Sequence, residues 1–272
     1  MSNTQLRIIS ALVLVLIIVI ALSFGTTGLL ALLFLSGVLL VDELVGNMIL
    51  KTRKNVQYFL AVLVFVIGFV GIIFSDLPLL KFDFMMGVGF GINSIMIIYL
   101  FMEKMDSLNF IGLMKKFSFV TGLFFLVPMV TIAYLVSRED WLNCIVLLIL
   151  TNFLVDTGAW FFGKNFGKRK LWPEISPNKT FEGAIGGVVV SITLSSLFIH
   201  YYFENLSIFI VISLFFLTVF AQLGDLIESK IKRQLGVKDS SNLIPGHGGI
   251  YDRLDSLVFI APFYGMMIKY LF

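Results

Sequence analysis

The chain has 272 residues, 58% of them hydrophobic, 15% aromatic and only 14% charged, with a formal net charge of +3. A soluble domain carries about 25% charged residues, so the composition excludes one, and no nucleic-acid partner is expected. A polytopic membrane protein fits: at roughly 20 apolar helical residues per crossing, the length allows about eight to ten spans with short loops.

In chain order, apolar runs at 8–24, 27–41, 57–74, 84–102, 118–135, 141–163, 180–202, 206–228 and 255–272 predict nine membrane helices and an all-α fold. The first run follows one basic residue, Arg7, exceeds the apolar part of a usual signal peptide and lacks a small-residue cleavage site, so it reads as a retained span. In the fourth, Gly87 and Gly91 share a helical face at a spacing that permits close packing. The sixth holds the sole cysteine, Cys144, expected as a small buried hydrophobe.

Basic residues crowd into alternate connections. Arg7 precedes the first span; Lys51, Arg53 and Lys54 follow the second; Lys104, Lys115 and Lys116 follow the fourth. Lys164, Lys168, Arg169, Lys170 and Lys179 follow the sixth, and Lys230, Lys232, Arg233, Lys238 and Arg253 the eighth, leaving only Lys81, Arg138 and Lys269 for the opposite side. The positive-inside rule then predicts a cytoplasmic N-terminus, an external C-terminus and cytoplasmic placement of the two longest polar connections. Residues 1–140 read as scaffold and lipid-facing spans, and 141–272 as the half that carries chemistry.

That half contains acids where they are costly. Asp156 lies inside the sixth run and Asp225 near the end of the eighth. A carboxylate at mid-membrane costs about 2.5–3.5 kcal/mol, so it faces a bundle interior or a wet cavity. Asp225, Glu228, Ser229, Lys232 and Arg233 share one face of a continuing helix, and Asp252 and Asp255 stand three apart where the chain re-enters the membrane. Carboxylates from two helices are suitable oxygen ligands for Mg²⁺, and nearby lysines and arginines suit phosphates, the combination that phosphoryl or nucleotidyl transfer needs. A structural ion pair or helix–helix hydrogen bond is the alternative for each acid taken singly, and it weakens when the acids are taken together.

Two polar stretches flank these acids. In ISPNKTFEGAIGG, residues 175–187, Ser176 or Thr180 caps the seventh helix, with Lys179 and Glu182 at its first turn; the stretch is either a packed helix start or an anion site. In KDSSNLIPGHGGIYDRLDS, residues 238–256, glycines around His247 let backbone N–H groups approach a ligand, although a long solvated loop has similar composition.

The segment from Ser229 to Asp255 resembles the signature of the integral-membrane phosphatidate cytidylyltransferases, or CDP-diacylglycerol synthases. The resemblance rests on Ser229, Lys232-Arg233, Lys238-Asp239, Ser241, Ile244-Pro245, His247-Gly248-Gly249, Asp252-Arg253 and Asp255, and extends to DTGAWFFG and SPNKTFEG upstream. Trp160 stands for a commoner Tyr, and Asn178 and Phe181 for a commoner Lys and Trp. The resemblance implies transfer of CMP from CTP to phosphatidic acid, giving CDP-diacylglycerol and pyrophosphate, by Mg²⁺-assisted in-line displacement with or without a second cation. It implies Asp225 and Asp252 as principal metal ligands with Asp255 in support, and Lys232, Arg233 and His247 at the reacting phosphates. Ser176, Lys179, Thr180, Ser229, Lys238, Asp239, Gly248, Gly249 and Arg253 would contact substrates, and Asp156 would form a polar wall. A homodimer in the plasma membrane, with its site facing the cytoplasm, is also implied. The competing readings are a membrane CTP-dependent enzyme acting on an isoprenoid lipid phosphate and, from another class, a secondary transporter, whose paired interrupted helices are not apparent.

Overall fold

The computed structural model describes residues 3–74 and 78–272, with side chains described for 5–74 and 82–272; the side chain of Lys81 lies outside them. Among the described residues nine helices are long and apolar enough to cross a membrane, and the protein is a multi-pass membrane protein. They are α1 (Asn3–Ser23), α2 (Gly25–Val41), α3 (Val56–Ile73), α4 (Pro78–Met102), α6 (Phe119–Val136), α7 (Trp141–Phe166), α8 (Phe181–Phe203), α9 (Ile208–Gln234) and α10 (Tyr251–Leu271). A short helix, α5 (Asn109–Lys116), joins α4 to α6.

Two elements depart from the expected all-helical reading. The second span continues beyond its apolar run as a π-helical stretch, Asp42–Ile49, and the connection after α7 forms an antiparallel hairpin of β1 (Lys170–Trp172) and β2 (Ser176–Thr180). Lys179 therefore lies in a strand rather than in the first turn of α8. Of the two expected caps, Thr180 is the one used: its Oγ1 accepts from Gly183 N at 3.1 Å, satisfying one of the free N–H groups that begin α8.

Helix α6 sits at the centre, buried along nearly its whole length against α2, α3, α4 and α10. The α7–α8 pair packs closely: a Cβ at Gly187 would stand 2.6 Å from Val155 O. Hydroxyl contacts reinforce that seam, with Thr151 Oγ1 and Ser195 Oγ 2.9 Å apart and Ser191 Oγ donating to Thr151 O at 2.9 Å. In α4 the close-packing glycine is Gly89, where a Cβ would meet Val127 at 2.8 Å. Gly87 and Gly91, the pair suggested by spacing, face open space. Cys144 is buried and free, as expected, and its carbonyl accepts from Tyr264 Oη at 2.6 Å.

One end of the bundle gathers the connections that carry the basic residues. There Lys230, 1% exposed on α9, donates to Tyr99 O at 2.8 Å, Leu100 O at 3.0 Å and Glu103 O at 2.5 Å. The ammonium thus closes the C-terminal turn of α4, whose last carbonyls have no helical partner. At the same end Arg7 Nε, at the start of α1, donates to Gly246 O at 3.0 Å. The polar loop between α9 and α10 and the N-terminal end of α1 are therefore neighbours.

Candidate active site

Helices α9 and α10 approach closely because Gly224 stands against Phe259, where a Cβ would be 2.6 Å from Phe259 Cβ. Their facing ends bring together three carboxylates, Asp225 and Glu228 one turn apart on α9 and Asp255 near the start of α10, with one oxygen of each within 4.8 Å of the others. Lys179 Nζ, from β2, is 2.5 Å from Asp225 Oδ2, and Ser229 Oγ donates to Asp225 Oδ1 at 3.3 Å. Glu228 is 1% exposed, and both of its oxygens lack a hydrogen-bond donor; Lys232 Nζ lies 2.6 Å from Oε2 but without hydrogen-bond geometry. Three clustered carboxylates repel one another, and buried acceptors left without donors are costly. An all-oxygen set of this kind suits a hard divalent cation.

Asp252, expected as a principal metal ligand, lies outside that group. Its Oδ2 accepts from Gly249 N at 2.7 Å, Ser240 N at 2.8 Å and Ser240 Oγ at 2.9 Å, while Oδ1 pairs with Lys232 Nζ at 2.7 Å. By reaching back three residues to Gly249 N it acts like the acid of a capping box. Glu228, not Asp252, is the third acid grouped with Asp225 and Asp255.

The loop before α10 is held from below by Glu43, a residue of the π-helical stretch that the apolar run at 27–41 stops short of. Glu43 is 2% exposed. Its Oε1 accepts from Ser241 Oγ at 2.6 Å and Ile250 N at 2.9 Å, and its Oε2 from Tyr251 N at 2.8 Å and, at 2.9 Å, from the Ser240 hydroxyl, whose single proton it shares with Asp252 Oδ2. A negative group at the first N–H groups of α10 also complements the helix dipole. The preceding residue, Asp42, points the other way and is gripped by Arg53 at 2.6 and 2.7 Å and by Tyr58 Oη at 2.9 Å. Glycine is called for at three points of the loop: Gly246 and Gly248 have φ +76° and +87°, and a Cβ at Gly249 would lie 2.0 Å from Ser240 Oγ and 2.4 Å from Glu43 Oε2.

His247 is half-buried at the loop's tip. Its Nδ1 lies 2.9 Å from Ser10 Oγ on α1, and its carbonyl accepts from Arg253 Nη2 at 2.7 Å and Nε at 3.1 Å. Partial desolvation, then the charges of Arg253 and Arg7, hold the imidazole below its ordinary 6.5, so it is neutral at pH 7. Neither Arg7 nor Ser10 was singled out as a contact of this loop.

The other expected site residues divide. A cleft of about 430 Å³ is lined by Asp156, Asn178, Lys179, Thr180, Gly183 and Gln222 among others, which puts Asp156 and Lys179 on one cavity wall. Thr180 is already engaged as a helix cap. Ser176 starts β2 opposite Trp172 and does not line the cleft. Lys238 and Asp239 are exposed on the loop, and Arg233, also exposed, reaches Val237 O at 3.3 Å. Through Leu171, Ala184 and Gln222 the cleft adjoins an apolar groove of about 770 Å³ between α8 and α9, edged by Phe101 and Trp172. The arrangement can hold a cation, present lysines to an anion and shelter an apolar chain beside them.

Residues 5–271 match the model of the Cytidylyltransferase family. The chain is 34% identical over 271 residues to a phosphatidate cytidylyltransferase of Staphylococcus haemolyticus, covering 97% of this chain and 98% of that protein. It is 41% identical over 160 residues to one of Staphylococcus aureus strain COL, 57% of this chain and 62% of the other. With one of Bacillus subtilis it shares 53% identity over 115 residues, 40% of each chain. The chain belongs to the Cytidylyltransferase family.

Proposed function

We propose that this protein is a phosphatidate cytidylyltransferase, which transfers the CMP unit of CTP to phosphatidic acid and releases pyrophosphate. The observation that carries the reading is the cluster of Asp225, Glu228 and Asp255 beside Lys179, next to a polar cleft that continues into an apolar groove. A polyanionic nucleotide and a lipid phosphate need a site of this double character.

In the reaction an oxygen of the lipid phosphate attacks the α-phosphorus of CTP, the bond to the β-phosphate oxygen breaks, and pyrophosphate leaves. Asp225, Glu228 and Asp255 would hold a divalent cation, taken as Mg²⁺ with or without a second ion, which would supply positive charge against the negative charge of the reacting phosphates. Lys179 reaches the cleft from β2 and contacts a substrate phosphate, while Asp156 and Asn178 form polar walls. Lys232 ties the cluster to the loop by bridging Glu228 and Asp252. Asp252, Glu43 and Arg253 order the loop, Gly248 and Gly249 allow its tight turn, and His247 at its tip meets the nucleotide, with Arg233, Lys238 and Asp239 exposed at its margin. A phosphate monoester has a second pKa of about 6, so the nucleophile is largely anionic at pH 7 and no protein base is needed. The groove takes the acyl chains.

The same proposal places the protein in the plasma membrane with this end towards the cytoplasm, supported by the alternating basic connections, and adopts the homodimer that the resemblance implies. Residues 141–272 carry the chemistry, and 1–140 support it through Glu43 and the α4 turn that Lys230 closes.

The test is CTP-dependent lipid conversion by purified protein in detergent, where no gradient exists. Phosphatidic acid with Mg²⁺ should yield CDP-diacylglycerol. Conversion of an isoprenoid ether lipid phosphate alone would transfer the reading to that substrate class, and no CTP consumption with either lipid would remove it.

A further inference from the structure

We propose that α5 and the groove beside it bind an anionic phospholipid of the surrounding bilayer, at a position separate from the reacting site. Helix α5 reads NFIGLMKK and is amphipathic across the bilayer boundary: Ile111 and Met114 are buried, and α5 packs on the Asp42–Ile49 stretch, while Leu113 is 55% exposed beside exposed Leu108 and Phe117. It joins the end of one membrane helix, α4, to the start of another, α6, and so lies at the interface, where exposed apolar side chains enter the headgroup and acyl boundary.

Next to it, between α4, α5 and α6, runs an apolar groove of about 380 Å³ lined by Ile92, Ile95, Phe110, Leu113, Phe117 and Val120 among others. Its reach from α5 into α4 and α6 follows the direction of an acyl chain. At its mouth Lys116 Nζ stands 5.3 Å over the ring of Phe117, itself a lining residue, and Lys115 precedes it. Neither lysine forms an ion pair among the described residues. Helix α5 holds no acid, and Glu103 turns the other way, accepting from Ser107 Oγ at 2.9 Å and from Phe110 N at 3.1 Å near the start of α5. Charge and groove together select a phosphodiester lipid with net negative charge, its phosphate on the two ammoniums and one chain in the groove.

The experiment incubates purified full-length protein with equal amounts of phosphatidylglycerol and phosphatidylcholine of identical chains at low salt and quantifies the lipid retained. Phosphatidylglycerol lacks a phosphate monoester and so cannot serve as the nucleophile. Wild-type protein should prefer it, and Lys115→Gln with Lys116→Gln should lower the phosphatidylglycerol-to-phosphatidylcholine ratio by roughly 25-fold, a factor of about 5 per lysine. Val120→Trp, which fills the groove and keeps the lysines, should lower retention of both lipids. Lys179→Gln, in the reacting cleft, should leave the ratio unchanged. A wild-type ratio in the double variant, or undiminished retention in Val120→Trp, would overturn the proposal. So would loss of preference in Lys179→Gln, because the retained lipid would then lie in the reacting cleft.

Discussion

Replacing Glu43 by glutamine preserves volume but removes the charge and one of two acceptor oxygens. In the structure Oε1 and Oε2 each accept one hydroxyl and one backbone N–H, from Ser241 and Ile250 and from Ser240 and Tyr251 respectively. An amide has one accepting oxygen, so one N–H at the start of α10 must face an NH₂ group, and the remaining bonds lose their charge assistance. The displaced hydroxyl has another partner, Asp252 Oδ2 for Ser240 and water for Ser241, but the N–H is buried, and leaving it unsatisfied costs about 1–3 kcal/mol. Weakening two charge-assisted bonds to neutral ones adds about 1–2 kcal/mol. A total near 3 kcal/mol corresponds to roughly 100-fold or more in the population of the ordered loop. Initial rates measured against CTP should therefore show kcat/KM lowered by about two orders of magnitude. Glu43→Asp, which keeps the charge on a shorter arm, should recover part of the loss. A thermal melt should move little, because the apolar bundle does not depend on this loop. Glu43→Gln within twofold of wild type, or an equal loss in the aspartate variant accompanied by general unfolding, would refute the reasoning.

Asp225→Asn and Asp255→Asn should each sharply reduce turnover and raise the Mg²⁺ concentration for half-maximal activity, whereas Asp252→Asn should reduce turnover without that shift, because it loosens the loop instead; rates titrated against Mg²⁺ separate the two classes. His247→Gln should retain measurable activity, with roughly 10–10³-fold loss if the imidazole is a single transition-state donor. Partial desolvation, then the charges of Arg253 and Arg7, hold the His247 imidazole below its ordinary 6.5, so it gives up its proton at lower pH than a free imidazole. Wild-type activity should then rise with pH following the lipid's pKa of about 6 and level off; a profile unaltered when a lipid phosphate of different pKa is supplied would contradict this. In a Cys144→Ala background, a cysteine at exposed position 238 should be shielded from a membrane-impermeant thiol reagent added outside intact cells and one at exposed position 139 labelled; the reverse result would invert the topology.

Hydropathy located every membrane helix because an apolar run of span length has few alternatives in a bilayer. Spacing also put Asp225, Glu228 and Lys232 on one face, which the structure keeps because α9 continues unbroken to Gln234. Which of Asp252 and Asp255 joins Asp225 depends on the rotation of α10, and that is decided by backbone N–H groups at Ser240 and Gly249 capturing Asp252; local spacing has no information about such capture. Glu43 was missed for a related reason. It lies just past the end of an apolar run, in a stretch whose π-helical winding breaks the 3.6-residue pattern, and its donors are about 200 residues away in sequence. The Asp42-Glu43 pair, acidic where a span ends, was the available signal. Strands of three and five residues in a basic connection are too short to show alternation, so Lys179 was assigned to a helix that begins two residues later.

The central claim is that the Asp225, Glu228 and Asp255 cluster supports transfer of a cytidylyl unit to a lipid phosphate. Purified protein should be incubated with Mg²⁺, phosphatidic acid and CTP labelled at either the α- or the γ-phosphate, and the lipid extracted. The account predicts α-label in the lipid fraction, γ-label released as pyrophosphate, and loss of both transfers in Asp225→Asn. Label from the γ-phosphate in the lipid would mean phosphoryl transfer, and α-label reaching the lipid at wild-type rate in Asp225→Asn would place the chemistry elsewhere; either result would contradict the account.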